Sequence, residues 1–498
     1  MRAIRWRFAG TAIGAGSQLA IGTLLARLLS PTDYGLVAVA SIIIGFARLF
    51  GDLGIGSAIV QRQSLTVRHV RAAFTLSTLL GIAVAAMVAS MAPLAARVVA
   101  DSHATSIVRA LSFGFAIAGT SVAGAALLRR DVKFKQLFFI ETISYTIGYG
   151  GLAMLLAWNG YAAWSLVWGN LLQTFVASAA VLAVSGHSTR PLLTRAELSD
   201  LLRFGVGAHL SGCANYVALQ GDNFVVGRAL GAFELGLYSR AYTLMNLPFT
   251  YAAAVISGVL FPVFAQMQAA PARLRPAFVA ATQATAVIAA SGSVVIGIAS
   301  PHLVPTLYGA HWAEVVPPLQ VLCIAGYFRA LYHLGGIAVQ SVGWVYSELR
   351  NQIVYAVLVV TGAAIGARAG LVGVAIGVDL AIIVMFVATN RLALRAVAMS
   401  WRRYGGIQLP AIATSSVAAA VAFAVRLWLE SLGASSAIVV LSLAVAAAVP
   451  TAIGSLWIAG GRDLEPIRAA LPPVGLRLVE ILRKSSRMAA VRTANFRH

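Results

Sequence analysis

The sequence predicts an all-α, polytopic membrane protein of about fourteen transmembrane helices, and three observations carry that prediction. Apolar runs of about 18 residues or more, enough to cross ~30 Å of hydrocarbon as a helix, recur along the whole chain. Only 11% of the 498 residues are charged and 59% are hydrophobic, whereas a soluble protein carries about a quarter charged residues. Lys and Arg crowd into alternate loops. Each run is too long for a barrel strand and lacks strict alternation, so helices are the reading.

Taken in order, the first six spans fall at 8–29, 34–60, 73–99, 105–128, 138–158 and 162–185. The next six fall at 204–230, 235–264, 277–304, 317–341, 351–367 and 370–390. Only "GARAG" separates the eleventh from the twelfth. Two further spans follow at 406–426 and 436–459. The N-terminus, every second loop and the tail hold 28 of the 37 basic residues. The opposite loops, such as "SPTD", "WNGYA" and "LYGAHWAE", are nearly free of them. Basic loops stay on the cytoplasmic side, so both termini are expected there and the span count is expected to be even.

The same count disposes of nucleic acid as a partner. The net charge is +21, yet most of it is the topological signal, facing anionic head groups. The first apolar run is too long for a cleaved signal peptide. Cys213 and Cys323 both lie inside spans, the eight histidines show no metal-ligand spacing, and no cofactor motif occurs. The basic tail after 460 reads equally as an amphipathic helix on the inner leaflet or as a frayed end.

An internal repeat supplies the architecture. "ARLLSPTDYGLVAVA" (26–40) aligns with "GRALGAFELGLYSRA" (227–241) at an offset of 201, matching Arg27 to Arg228, Gly35 to Gly236 and Leu36 to Leu237. Each copy joins the first and second span of a group of six. Two parallel six-helix halves, 1–186 and 204–392, are therefore expected to face a central cavity, with a substrate site near the midplane. A cytoplasmic connector (187–203), two additional helices (406–459) and a basic cytoplasmic tail (460–498) complete the expected layout.

Three stretches carry a family resemblance: "LARLLSPTDYGLVAVASIIIGFARLFGDLGIGSAIVQR", "LLRRDVKFKQLFFIETISYTIGYG" and "YVALQGDNFVVGRALGAFELGLYSRAYTLMNLPF". They resemble the polysaccharide transporter branch of the MOP exporter superfamily, in particular Wzx-type flippases of the colanic acid, xanthan and succinoglycan exporter group. The resemblance covers roughly the first 400 residues. It implies two six-helix bundles in a V. It also implies flipping of undecaprenyl-diphosphate-linked oligosaccharide units across the bacterial inner membrane, and pathway partners such as a polymerase and a chain-length regulator.

Buried charges supply the candidate site. An ionised side chain at the bilayer centre costs roughly +2.5 to +3.5 kcal/mol, so those present need a reason. Arg48 and Asp52 lie four apart on one helix face. One reading is an internal salt bridge; the other has Arg48 meeting the diphosphate while Asp52 sets its position or proton balance. The repeat places Phe249 and Ala253 opposite them, so the pair does not belong to the shared scaffold. Arg329 and His333, one turn apart in the tenth span, are further cavity candidates. Gln220 and Asn223 suit sugar hydroxyls, or helix–helix hydrogen bonds. Asp222 and Asp379 are candidates for a coupling H+ or Na+. Arg27 is expected to snorkel outward, and Glu141 to pair with Arg129, Arg130 or a lysine. Two alternative functions stay open: a cation-coupled small-molecule exporter, and a membrane-embedded polymerase or glycosyltransferase. The shortness of the outward loops disfavours the second.

Overall fold

The computed structural model describes residues 2–445 and 448, except 53, 63, 64, 100, 194–215 and 268–270. The expected tail (460–498), most of the last span, Cys213 and the Asp52 side chain lie outside the described residues. No β-strand occurs among the described residues. Eight helical stretches there are long and apolar enough to cross a membrane. A ninth is gained if a pair bent by 48° counts as one span. The protein is a multi-pass, all-helical membrane protein.

The chain folds into two compact units, the first comprising residues 1–239 and 307–311. It begins with α1 (Arg2–Leu28), α2 (Pro31–Asp52), α3 (Ile55–Gln61), α4 (Val67–Met91) and α5 (Pro93–Val99). The bent pair α6 (His103–Gly119) and α7 (Val122–Arg130) follows, then α8 (Phe134–Tyr145). A π-helical turn, Thr146–Ala153, leads into α9 (Met154–Trp158) and α10 (Ala163–Ser185). Helix α11 (216–229) closes this part.

Small residues let these helices approach closely, which drives packing where lipid is as apolar as the side chains. At the α4–α6 crossing a β-carbon on Gly81 would stand 2.5 Å from the Phe115 carbonyl, and one on Gly119 would stand 2.6 Å from that of Ser77. Ser77 Oγ donates to the Gly119 carbonyl at 2.8 Å. The repeated motif packs against its own copy. A β-carbon on Gly35 would collide with the Ala232 carbonyl, and one on Gly236 with that of Pro31. The two contacts interchange under the 201-residue offset, as a two-fold relation requires.

The second unit comprises residues 240–306 and 312–498. It holds most of α12 (Ala232–Gln266) and α13 (Pro271–Tyr308), then α14 (Val316–Ser341), α15 (Val345–Gly366), α16 (Gly370–Ala396) and α17 (Trp401–Ser431). A shorter apolar helix, α18 (Ser436–Val445), follows. Helices α15 and α16 form an antiparallel hairpin: Gly362 and Gly366 abut the backbones of Gly377 and Gly373 so tightly that no side chain fits. "GARAG" is therefore the turn between two spans. Its last residue, Gly370, has φ of 72°, a value that favours glycine.

Helix α17 docks through paired polar contacts inside an apolar core of Phe264, Phe278, Leu334 and Leu394. Tyr404 donates to Asn390 Oδ1 at 3.1 Å, and Tyr327 donates to Gln408 Oε1 at 2.9 Å. At the far end of α17, Glu430 accepts from Arg426 Nε at 2.8 Å and meets His302 Nε2 at 2.6 Å.

One clasp occurs in both units. Arg71 Nε and Nη2 donate to the carbonyls of Arg190 and Pro191, each at 3.1 Å. Arg275 Nε donates to the Val397 carbonyl at 3.0 Å and its Nη2 to that of Ala398. The same two nitrogens on the third span of each group thus hold the backbone just past the sixth. Arg130 similarly caps α3, donating to the carbonyls of Ile59 at 2.7 Å and Arg62 at 2.5 Å. Residues that mark topology in the sequence also satisfy orphan carbonyls at helix ends.

One minor expectation is corrected. Glu141 has no ion pair among the described residues, because Arg130 is spent on α3 and Lys133 pairs with Asp131 at 3.0 Å. Arg27 is exposed, and its Nε donates to the Leu307 carbonyl at 3.1 Å.

Candidate functional site

Helix α2 carries Arg48 into a cavity of about 200 Å³ inside the first unit. The walls come from α2, α4, α6, α7 and α10. They include Leu111 and Phe115, the glycines 81, 114 and 119, and the polar side chains of Asn170 and Thr174. Arg48 is the only charged residue lining it among the described residues, and no described carboxylate pairs with it. A fixed cation in an otherwise neutral, partly apolar pocket attracts anionic oxygen, and its planar fork suits phosphate geometry.

Arg329 lies in the second unit, on α14, and is 6% exposed. Its guanidinium stands 5.1 Å from the centre of the Tyr242 ring and donates from Nη1 to the Tyr242 hydroxyl. Tyr332 on α14 and Tyr355 on α15 have ring centres 5.8 Å apart. His333 sits one turn on and is partly buried. The Tyr242 ring face offsets part of the cation's desolvation. Arg48 and Arg329 belong to different units, and each site stands by itself.

The three acids differ in surroundings. Asp222 on α11 is 1% exposed. It accepts from Tyr238 Oη at 2.9 Å and from the Asn223 backbone N–H at 2.8 Å. Asn223 Nδ2 donates to Gln220 Oε1 at 3.2 Å. Gln220, Asp222 and Asn223 thus form one network that ties α11 to α12, the geometry of helix–helix glue. Asp379 on α16 is 5% exposed. Its Oδ1 has no hydrogen-bond partner among the described residues. Asp52 lies outside the described side chains.

Several functional candidates escaped sequence reading. Asn170 and Thr174 lie four apart on α10, a helical spacing that could have flagged them, but they carry no charge. Glu348 stands next to Arg350 near a span end and reads as a loop charge. It is 4% exposed and accepts from Gln352 Nε2 at 3.2 Å. No group of three or more potential metal ligands occurs among the described residues.

A family model described as Polysaccharide biosynthesis protein matches residues 24–317. The chain belongs to this family. The membership agrees with the MOP-superfamily resemblance of the three quoted stretches. The lipopolysaccharide biosynthesis protein WzxC of Escherichia coli (strain K12) is 26% identical over 380 residues, 75% of this chain and 76% of WzxC. The succinoglycan biosynthesis transport protein ExoT of Rhizobium meliloti (strain 1021) is 29% identical over 303 residues, 61% of each chain. Among solved structures, lipid II flippase MurJ in an inward closed conformation matches with a TM-score of 0.73 at 14% identity, covering 92% of this chain and 98% of MurJ. An inward-facing multidrug resistance MATE family transporter of the MOP superfamily gives 0.64 at 18% identity, covering 77% of this chain and 94% of that one. These two likenesses establish the fold of a polysaccharide biosynthesis family member.

Proposed function

We propose that this chain flips a diphosphate-linked lipid oligosaccharide from the cytoplasmic to the outer leaflet of the bacterial inner membrane. It is a transporter rather than an enzyme, and it works by alternating access between six-helix halves at 1–186 and 204–392, with 406–459 as an added pair of helices. Both termini are cytoplasmic. The names of WzxC, ExoT and MurJ support the substrate class. The observation that carries the reading is the Arg48 cavity, where one cation stands without a described carboxylate partner among neutral walls. A lipid diphosphate is an anion that such a cation can hold. Arg329, with His333 beside it, is a second anion contact, and Gln220 and Asn223 support α11 from within. Asp379 holds the coupling ion, a proton or sodium, because it is buried with a free carboxylate oxygen. A polymerase and a chain-length regulator are the expected pathway partners.

A small-molecule exporter of organic cations is the competing reading, and Arg48 disfavours it because like charge repels such a cargo. The test is reconstitution of the full chain in proteoliposomes loaded with an undecaprenyl-diphosphate-linked saccharide, with lectin access as the readout. Protein-dependent exposure of the saccharide is expected. Dye efflux without saccharide flipping would overturn the reading.

A further inference from the structure

The polar groups of the Arg48 cavity are of two kinds. Arg48 only donates hydrogen bonds, and so suits phosphoryl oxygens, which only accept. Asn170 and Thr174 offer the reverse. Asn170 Nδ2 donates to the Tyr149 hydroxyl at 3.2 Å, and its Oδ1 accepts nothing among the described residues. Thr174 Oγ1 donates its proton to the Asn170 backbone carbonyl at 2.8 Å, leaving its lone pairs to accept. Two acceptors do not suit a phosphate. They suit hydroxyl donors, which a sugar supplies in quantity.

The arrangement is built rather than incidental. Tyr149 lies in the π-helical turn and stacks on Tyr145, with ring centres 5.0 Å apart. That turn is seated against α10: a β-carbon on Gly148 would stand 2.5 Å from the Gly169 carbonyl. Such turns occur frequently at functional positions. Here the π-helical turn brings the Tyr149 hydroxyl to the Asn170 amide, which donates to it at 3.2 Å. About 200 Å³ is the space of roughly six or seven waters at ~30 Å³ each. That is room for one end of a larger molecule.

We propose that this cavity is the subsite for the first sugar beside the diphosphate, with Asn170 and Thr174 accepting from its hydroxyls and Tyr149 as the positioning residue. Arg48 then takes the adjoining phosphoryl group. The inference rests on the lipid-linked substrate reading above.

The experiment measures binding of the detergent-purified full chain to undecaprenyl diphosphate and to undecaprenyl-diphosphate-glucose. The wild type should favour the glucosylated lipid by about tenfold or more. Each lost hydrogen bond should remove roughly three- to tenfold, so Asn170→Leu and Thr174→Val should bring the ratio toward one. Tyr149→Phe should lower the ratio partly. Gly114→Val tests the volume without touching a polar group, since a β-carbon there meets only Leu171 at 3.9 Å; it should also erase the preference. UDP-glucose, which carries the same glycosyl diphosphate without a prenyl chain, should bind at least tenfold more weakly than the glucosylated lipid. Equal wild-type binding of the two lipids overturns the subsite, as does a preference that survives both Asn170→Leu and Thr174→Val. Equal binding of UDP-glucose overturns its assignment to a lipid-linked sugar. Failure of the wild type to bind either lipid overturns the flippase reading, and the subsite with it.

Discussion

Asp379 shows most sharply what a single residue contributes. A buried carboxylate with an unmet oxygen destabilises the fold, by roughly 1–3 kcal/mol or more, and persists where it has a task. Asp379→Asn is expected to raise the unfolding temperature of the purified protein. It should also remove the dependence of flipping on pH or on sodium. A lower unfolding temperature with the ion dependence intact would assign Asp379 to packing. Asp379 was legible in the sequence because a lone acid amid "GVAIGVDLAIIVM" has no local partner. The role of Asp222 was not legible: its partner Tyr238 lies 16 residues away, and only the turn between α11 and α12 brings them together.

At the scale of elements, the spans were readable because lipid demands long apolar helices, and the repeat was readable because Gly35 and Gly236 align. The packing purpose of those glycines was not, since it depends on two segments 201 residues apart meeting backbone to backbone. Gly35→Leu is expected to destabilise by roughly 1–3 kcal/mol, as overpacking does, and to lower the amount recovered from membranes. Normal abundance and unfolding temperature would contradict the close contact. The arginine clasps were equally hidden, because a positive charge near a span end reads first as topology. Arg71→Ala and Arg275→Ala should each cost about 1–3 kcal/mol for two charged hydrogen bonds to carbonyls, measurable by thermal unfolding. Arg129→Ala, on an exposed side chain in the last turn of α7, serves as the comparison and should cost less. Equal effects at all three positions would mean charge matters and the clasp does not.

For the whole molecule, class and charge distribution were legible from composition, and the uncharged polar groups of the Arg48 cavity were not, because Asn170 and Thr174 look like ordinary polar residues of a packed span. A diphosphate-linked lipid carries about two negative charges, and moving each outward across an inside-negative membrane is favoured by ~2.3 kcal/mol per 100 mV. An imposed inside-positive potential should therefore slow flipping in proteoliposomes. An unchanged rate would show that protein charge moves with the substrate.

The central claim is that Arg48 meets the substrate, and a double-mutant comparison with Asp52 tests it most directly. Flipping and membrane abundance are measured for Arg48→Ala, Asp52→Ala and the double variant, with Arg48→Lys alongside. Contact with the diphosphate predicts that Arg48→Ala abolishes flipping at normal abundance, that the double variant stays inactive, and that Arg48→Lys keeps part of the activity. An Arg48–Asp52 salt bridge that only packs α2 predicts the opposite: Arg48→Ala falls in abundance, and the double variant recovers both abundance and flipping. Near-normal flipping by the double variant would contradict the account.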